Sequence, residues 1–195
     1  MSVISSVSIC SNALLSLGDR GINAFNDPSD RAKLTNLYTV RRDALLRSHP
    51  WNCAVKRVVL SPDAVSPAYD YTNNFSLPGD WLRTLQVGKT GAETDYKIES
   101  GKILSDESMF YLRYIWRNDN ESTWDSMLIE GMELVMAAAF AYPITLSTAK
   151  EAACIQQVKD FLKVARAVDG SEEPPMTLGD YRLLTSRYGS NGATF

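Results

Sequence analysis

Apolar residues recur along this chain with two different periods, and the change of period divides it. From Val3 to Leu17, Val3, Val7, Cys10, Leu14 and Leu17 fall on one face at helical spacing, and Gly18 suits a left-handed cap. A second helix is predicted to open at Ser29 or Asp30, to bury Leu34, Leu37, Tyr38, Ala44 and Leu45, and to end at Pro50. From Ala54 to Arg117 the period shortens toward two. Strands are predicted at 54–60, 71–77, 82–87, 96–98, 102–104 and 110–116, separated by the turns Ser61-Pro62-Asp63, Pro78-Gly79-Asp80 and Ser100-Gly101. Short strands so spaced suggest a small antiparallel sheet or sandwich.

Helical spacing returns from Thr123 to Tyr142, with Met127, Leu128, Gly131, Val135 and Ala138 on one face and Pro143 as the stop. The next helix is predicted to start at a capping box, Thr148-x-x-Glu151, to bury Cys154, Val158, Phe161, Ala165 and Val168, and to close at Gly170. A different texture follows. Glu172-Glu173-Pro174-Pro175 leads into Leu178, Tyr181, Leu183, Leu184 and Tyr188 among polar residues. The predicted class is α+β: a four-helix bundle-like core (1–52 and 118–170), an inserted small antiparallel β-rich region (53–117), and an extended C-terminal arm (171–195). No internal repeat is visible.

Composition adds little against a globular fold. Of the 195 residues, 45% are apolar and 22% charged, and a chain this long can bury roughly 70% of its unfolded surface without disulfide or metal. The net charge of -3 argues against nucleic-acid binding by the whole surface. Cys10, Cys53 and Cys154 are scattered and read as small buried hydrophobes in a reducing compartment. The N-terminus lacks a basic leader, and the longest apolar run, 135–142, is too short for a bilayer. The expectation is a protein made in cytoplasm, with no membrane partner.

Reactive signatures are sparse. The single histidine, His49, has no carboxylate or cysteine at ligand spacing and reads as a helix-end residue before proline, which leaves no zinc, Ser-His-Asp or Cys-His pattern. Val87-Gly88-Lys89-Thr90 resembles the end of a phosphate loop, but Arg83 stands where its first glycine belongs, so a turn between strands is expected. The carboxylates Glu130 and Glu133 sit one helical turn apart and read as solvated charges. No catalytic residue, cofactor or metal is expected.

Charge is distributed unevenly. Seven bases lie between Arg31 and Arg57, including Arg41 and Arg42, against Asp43 alone, whereas 119–133 holds five acids and no base. Two such faces suit head-to-tail contact between copies, which closes into a ring when the rotation permits. Arg31, Arg41 and Arg42 are the candidate subunit-interface residues. Leu178, Tyr181, Leu183, Leu184 and Tyr188 are too apolar for a linker and too few for a core, and are expected to dock on this domain or on another molecule.

Three segments carry a resemblance: Asn12-Ala-Leu-Leu-Ser-Leu-Gly18, Leu45-Leu-Arg-Ser-His-Pro-Trp51-Asn52 and Phe75-Ser-Leu-Pro-Gly-Asp-Trp81-Leu-Arg83. Together they resemble the tail tubular protein A family, the head-to-tail connector (adaptor) proteins of tailed bacteriophages, over nearly the whole chain. The resemblance implies a structural virion protein in the neck of the tail, with copies, commonly twelve, forming a ring beneath the portal. The helical part would surround the DNA channel, the β-rich part would face the tail nozzle or the exterior, and the arm would reach the portal. Portal and nozzle proteins would be its partners, with tail fibres a further candidate, and DNA would pass without sequence-specific binding. Tight phosphate contacts would oppose ejection, so Asp125, Glu130 and Glu133 are the expected channel lining. Two rival readings are a peptidoglycan hydrolase acting in phage entry and a cytoplasmic DNA-binding accessory protein.

Overall fold

The computed structural model describes residues 4–26, 34–89 and 94–172. Four α-helices and two three-stranded antiparallel sheets lie within them, so the class is broadly α+β. The predicted cap at Ser29 or Asp30, Arg31, and the docking residues Leu178, Tyr181, Leu183, Leu184 and Tyr188 fall outside the described residues.

Helix α1 spans Ser6–Ser16 and begins with a capping box. The Ser5 side chain accepts from Ser8 N–H, and Ser8 Oγ in turn accepts from Ser5 N–H. Its far end is a Schellman turn: Gly18 sits at φ +81° and donates to Leu15 O, while Asp19 donates to Leu14 O. Ile9, Cys10, Ala13 and Leu14 are buried on its inner face.

A 3₁₀ turn, Thr35–Leu37, leads into α2, Tyr38–Ser48. The predicted apolar stripe of this helix is rotated: Ala44 and Leu37 face solvent, whereas Arg42 and Leu46 turn inward. Arg42 can do so because its guanidinium meets Asp43 Oδ1 at 2.9 Å. The next helices are α3, Ser126–Thr145, and α4, Thr148–Ser171.

Helix α3 is the centre of the helical part. Helices α1 and α4 pack along it, and α2 crosses it with a smaller contact. It is the one described helix long and apolar enough, by length and composition, to cross a membrane. Its predicted apolar run was shorter because Glu130 and Glu133 interrupt it. Here Leu128, Met132, Met136 and Phe140 are fully buried between the neighbouring helices. At Gly131 the approach of α4 is so close that an added Cβ would lie 3.1 Å from Leu162 Cδ2.

Three boundaries differ from expectation. Pro143 lies inside the last turn of α3, and the helix stops instead at Leu146, which adopts φ +54°. Ser147, one residue before the predicted box, caps α4 by accepting from Lys150 N–H. Gly170 does not end α4, which continues through it to Ser171. A residue expected to open the arm is therefore helical.

The six predicted strands are present: β1 Val55–Leu60, β2 Asn73–Ser76, β3 Trp81–Val87, β4 Lys97–Glu99, β5 Lys102–Ser105 and β6 Phe110–Trp116. One sheet has the order β1-β6-β3 and the other β2-β5-β4. Gly88, at φ +80°, ends β3 in a turn rather than in a phosphate loop. On β6 the period of two does its work. Phe110, Leu112 and Tyr114 face a small second core with Phe75 and Ile103 of the other sheet, where the Phe75 and Phe110 rings lie 5.4 Å apart. Ile115 faces the opposite way and joins Leu82, Trp51 and Ala54 in the helical core. The β-rich region is therefore fastened to the helices by a shared core. Buried Asn118 locks the two crossing points together, donating from Nδ2 to Cys53 O at 2.9 Å and to Thr123 Oγ1 at 2.9 Å.

Candidate functional site

The resemblance-bearing segments occupy structural junctions. His49-Pro50-Trp51-Asn52 joins α2 to β1, and it is clasped by the last turn of α4. Trp51 is fully buried and donates from Nε1 to Leu45 O at 3.2 Å. Asp169 lies 120 positions away from His49, yet its Oδ2 is 3.0 Å from His49 Nε2. Its Oδ1 accepts from Asn52 N–H at 3.1 Å, and Asn52 Nδ2 donates back to Asp169 O at 3.1 Å and to Glu172 Oε2 at 3.2 Å. Reading His49 as a helix-end residue before proline missed this pairing. The one available signal was an aspartate on the stripe Leu162–Ala165–Asp169, the face that α4 buries.

A histidine–aspartate pair invites a test for nucleophilic chemistry. Cys53 is the nearby thiol in sequence, and burial, followed by the charges of Asp125 and Asp169, pushes it up to about 11. It stays protonated at neutral pH, so it is not an activated nucleophile. The Ser48 hydroxyl donates to Leu45 O and accepts from Arg166 Nη2 at 3.1 Å. These hydrogen bonds tie the α2–β1 junction to α4. Among the described residues no group of three or more His, Cys, Asp or Glu could hold a metal.

The Pro78-Gly79-Asp80 turn is a second junction. Asp80 accepts from Lys56 Nζ at 2.8 Å and from Tyr114 Oη at 3.0 Å. Burial alone would raise its pKa, but these two hydrogen bonds outweigh it and hold the carboxyl below its ordinary value. Tyr114 is pushed up to about 12, by burial first and then by Asp80. Lys56 Nζ also sits 3.4 Å from the centre of the Trp116 ring.

The uneven charge resolves into residues with internal work and residues facing outward. On the basic side, Arg42 pairs with Asp43, whose other oxygen meets Arg117 Nε at 2.8 Å, so Arg42 is a poor contact for a neighbour. Arg47 donates to Leu82 O. Arg41 and Arg57 are exposed. On the acidic side, Glu121 accepts from Tyr38 Oη at 2.9 Å, and Asp125 caps α3 by accepting from Leu128 N–H at 2.9 Å. Glu133 accepts from Asn12 Nδ2 at 2.7 Å, and Glu130 is exposed beside it. The candidate channel residues are therefore not equivalent: Asp125 is committed to a helix cap, and Glu130 and Glu133 form an acidic edge next to α1.

Across α3 from that edge runs an apolar groove of about 370 Å³. Val135 and Ala138 of α3 and Ile155 and Val158 of α4 form its walls, and Arg41, Glu151 and Lys159 its rim. Glu133 and Val135 are two residues apart on a helix of 3.6 residues per turn, which turns them to nearly opposite sides. A second concavity, about 330 Å³, lies on the β1-β6-β3 sheet where Arg57 and Arg113 are paired across strands beside Lys89 and Tyr111.

No model of a known protein family matches this chain, and no curated protein matches it.

Proposed function

We propose that this chain is a structural virion protein: a head-to-tail connector whose copies form a ring between portal and tail nozzle, completing the DNA channel and attaching the tail. The observation that carries the reading is the segregation of outward charge across α3. Arg41 and Lys159 lie with Glu151 on one flank, which keeps one net positive charge, and Glu130 and Glu133 lie on the other. One copy can offer the basic flank to the acidic flank of the next, the arrangement a closed heterologous ring requires. The four helices act as a bundle-like ring body centred on α3. The β-rich sandwich, braced by the Asp80 and Asn118 junctions, is the rigid projection toward the tail. The arm, 173–195, leaves from the clasped end of α4 and docks on the portal through Leu178, Tyr181, Leu183, Leu184 and Tyr188.

The geometry modifies one role: Arg41, which is exposed, replaces Arg42, which is paired with Asp43, as the principal basic contact. Charge reversal tests the lateral contact. Arg41→Glu should prevent ring formation while leaving the monomer folded, and Glu130→Lys in the same chain should restore it. Rings that form equally well with Arg41→Glu would refute this contact.

A further inference from the structure

Strand register gathers a set of side chains on one face of the β1-β6-β3 sheet. Arg57 stands opposite Arg113, Val59 opposite Tyr111, and Gln86 opposite Arg113 from the other side. Residues directly opposed across strands project the same way. Ile115 shares this face, and the helical core covers it there. Further along the strands the face is open: Val59 is 47% exposed, and Arg57 and Lys89 are exposed. The concavity of about 330 Å³ lies here, and its described lining holds three bases, Arg57, Lys89 and Arg113, and no acid. That is out of keeping with a chain whose net charge is -3. We propose that this open end of the sheet docks an extended acidic segment of another protein, which sets carboxylates on Arg57 and Lys89 and an apolar side chain on Val59. The surface is separate from the flanks of α3 and does not rest on the connector reading.

Three observations select that occupant. The first is available charge. The Arg57 side chain has no ion pair or hydrogen bond among the described residues, and Lys89 Nζ sits 5.4 Å from the centre of the Tyr111 ring. A guanidinium fork matches a carboxylate in two parallel hydrogen bonds. Arg113 already interacts within the chain, so the docking contacts belong to Arg57 and Lys89. Glu107 lines the adjoining hollow and not this one.

The second is span. Strand β6 lies between β1 and β3. Two strand spacings, about 10 Å, therefore separate the strand that carries Arg57 from the one that leads into Lys89, and about three residues of extended chain cover that distance. The third is the mixture of charge with apolar surface. Val58 and the exposed Val59 form part of the wall, which a segment carrying both acids and an aliphatic side chain fills. A nucleic-acid strand fits less well. Tyr111 is the one aromatic in the described lining, and Lys89 stands over it, so there is no succession of open rings for bases to stack on.

The test is fluorescence anisotropy with the full chain and three labelled probes: an octapeptide of alternating glutamate and valine, one of alternating glutamate and serine, and a single-stranded oligothymidylate. The glutamate–valine peptide should bind, and the glutamate–serine peptide should bind more weakly because Val59 gains no partner. Arg57→Glu and Lys89→Glu should each weaken the glutamate–valine peptide at least about tenfold, as expected when an attraction becomes a like-charge contact. Lys89 follows the end of β3, so its variant keeps the question answerable if a glutamate at 57 disturbs the sheet. Arg41→Glu, on the helical part, should leave the peptide's affinity unchanged. Equal affinity for the peptide in the parent and in both sheet variants would overturn the proposal. So would tighter binding of the oligothymidylate than of the peptide with the same loss in Arg57→Glu, since the face would then be a nucleic-acid site.

Discussion

Asp169→Ala removes the centre of the clasp between α2, β1 and α4. The carboxylate is 7% exposed and receives two hydrogen bonds, from His49 Nε2 and from Asn52 N–H. Hydrogen bonds to a charged group contribute about 1.5–3 kcal/mol each. The exposed side of Asn52 regains water in the variant, so the summed loss belongs at the lower end, about 2–4 kcal/mol. For a chain of this size each kcal/mol moves Tm by about 2–4 °C, so Tm should fall by about 5–15 °C. Thermal unfolding followed by circular dichroism measures this directly. Asp169→Asn keeps one acceptor for the Asn52 amide and should lose roughly half as much. His49→Gln combined with Asp169→Ala should cost less than the sum of the single changes, since both remove one contact. A Tm within about 2 °C of the parent for Asp169→Ala would show that the cluster is ornamental and that α4 is held by its apolar face alone.

Three further outcomes follow from the packing and the junctions. Gly131→Val should destabilise by about 1–3 kcal/mol in urea unfolding, because the new side chain meets Leu162 at a contact already tight for a single Cβ; an unchanged midpoint would contradict the packing of α3 on α4. Folded Asp80 binds its proton more weakly than the unfolded chain does, so its contribution is present above the ordinary carboxylate range and is lost as pH falls below about 4. A stability–pH curve for Asp80→Asn should therefore be flatter on its acid limb than the parent's, and parallel limbs would be evidence against the junction. Cys10 is buried and its thiol is pushed up to about 12 by burial and then by Glu121, while Cys53 is pushed up to about 11. Both should resist alkylation at pH 8 until the chain unfolds, and rapid labelling of either in the native state would show those sites to be open.

The elements were legible where a local pattern was strong. All six strands were readable because turn residues and the period of two mark them, and β6 falls on the residues predicted for it, 110–116. Gly18 was readable because a left-handed cap has a sharp residue preference. The stops were less so. Pro143 is tolerated in the last turn of α3, where the helix has only one more turn to lose, and Gly170 adopts helical geometry where nothing demands otherwise. Rotation of α2 was illegible because inward Arg42 depends on Asp43 as its partner, and Asp43 is in turn shared with Arg117, 74 positions away.

Site-level features suffered most from this distance. The approach of Asp169 to His49 and of Glu133 to Asn12 joins residues more than a hundred positions apart. No spacing rule reaches so far, since such pairs exist only after α3 and α4 have packed. Charge counts along the sequence could not say which charges are bonded within the chain. Arg42, Arg47, Glu121 and Asp125 are used inside the molecule, as ion pair, carbonyl donor, acceptor and cap.

The central claim is that this protein works by joining its surfaces to copies of itself and to a larger ring. Mass measurement of the purified chain, alone and mixed with an isolated portal ring, tests it most directly. The account predicts a monomer alone and a closed ring of many copies on the portal, lost with Arg41→Glu. A chain that stays monomeric beside the portal at every concentration would contradict it.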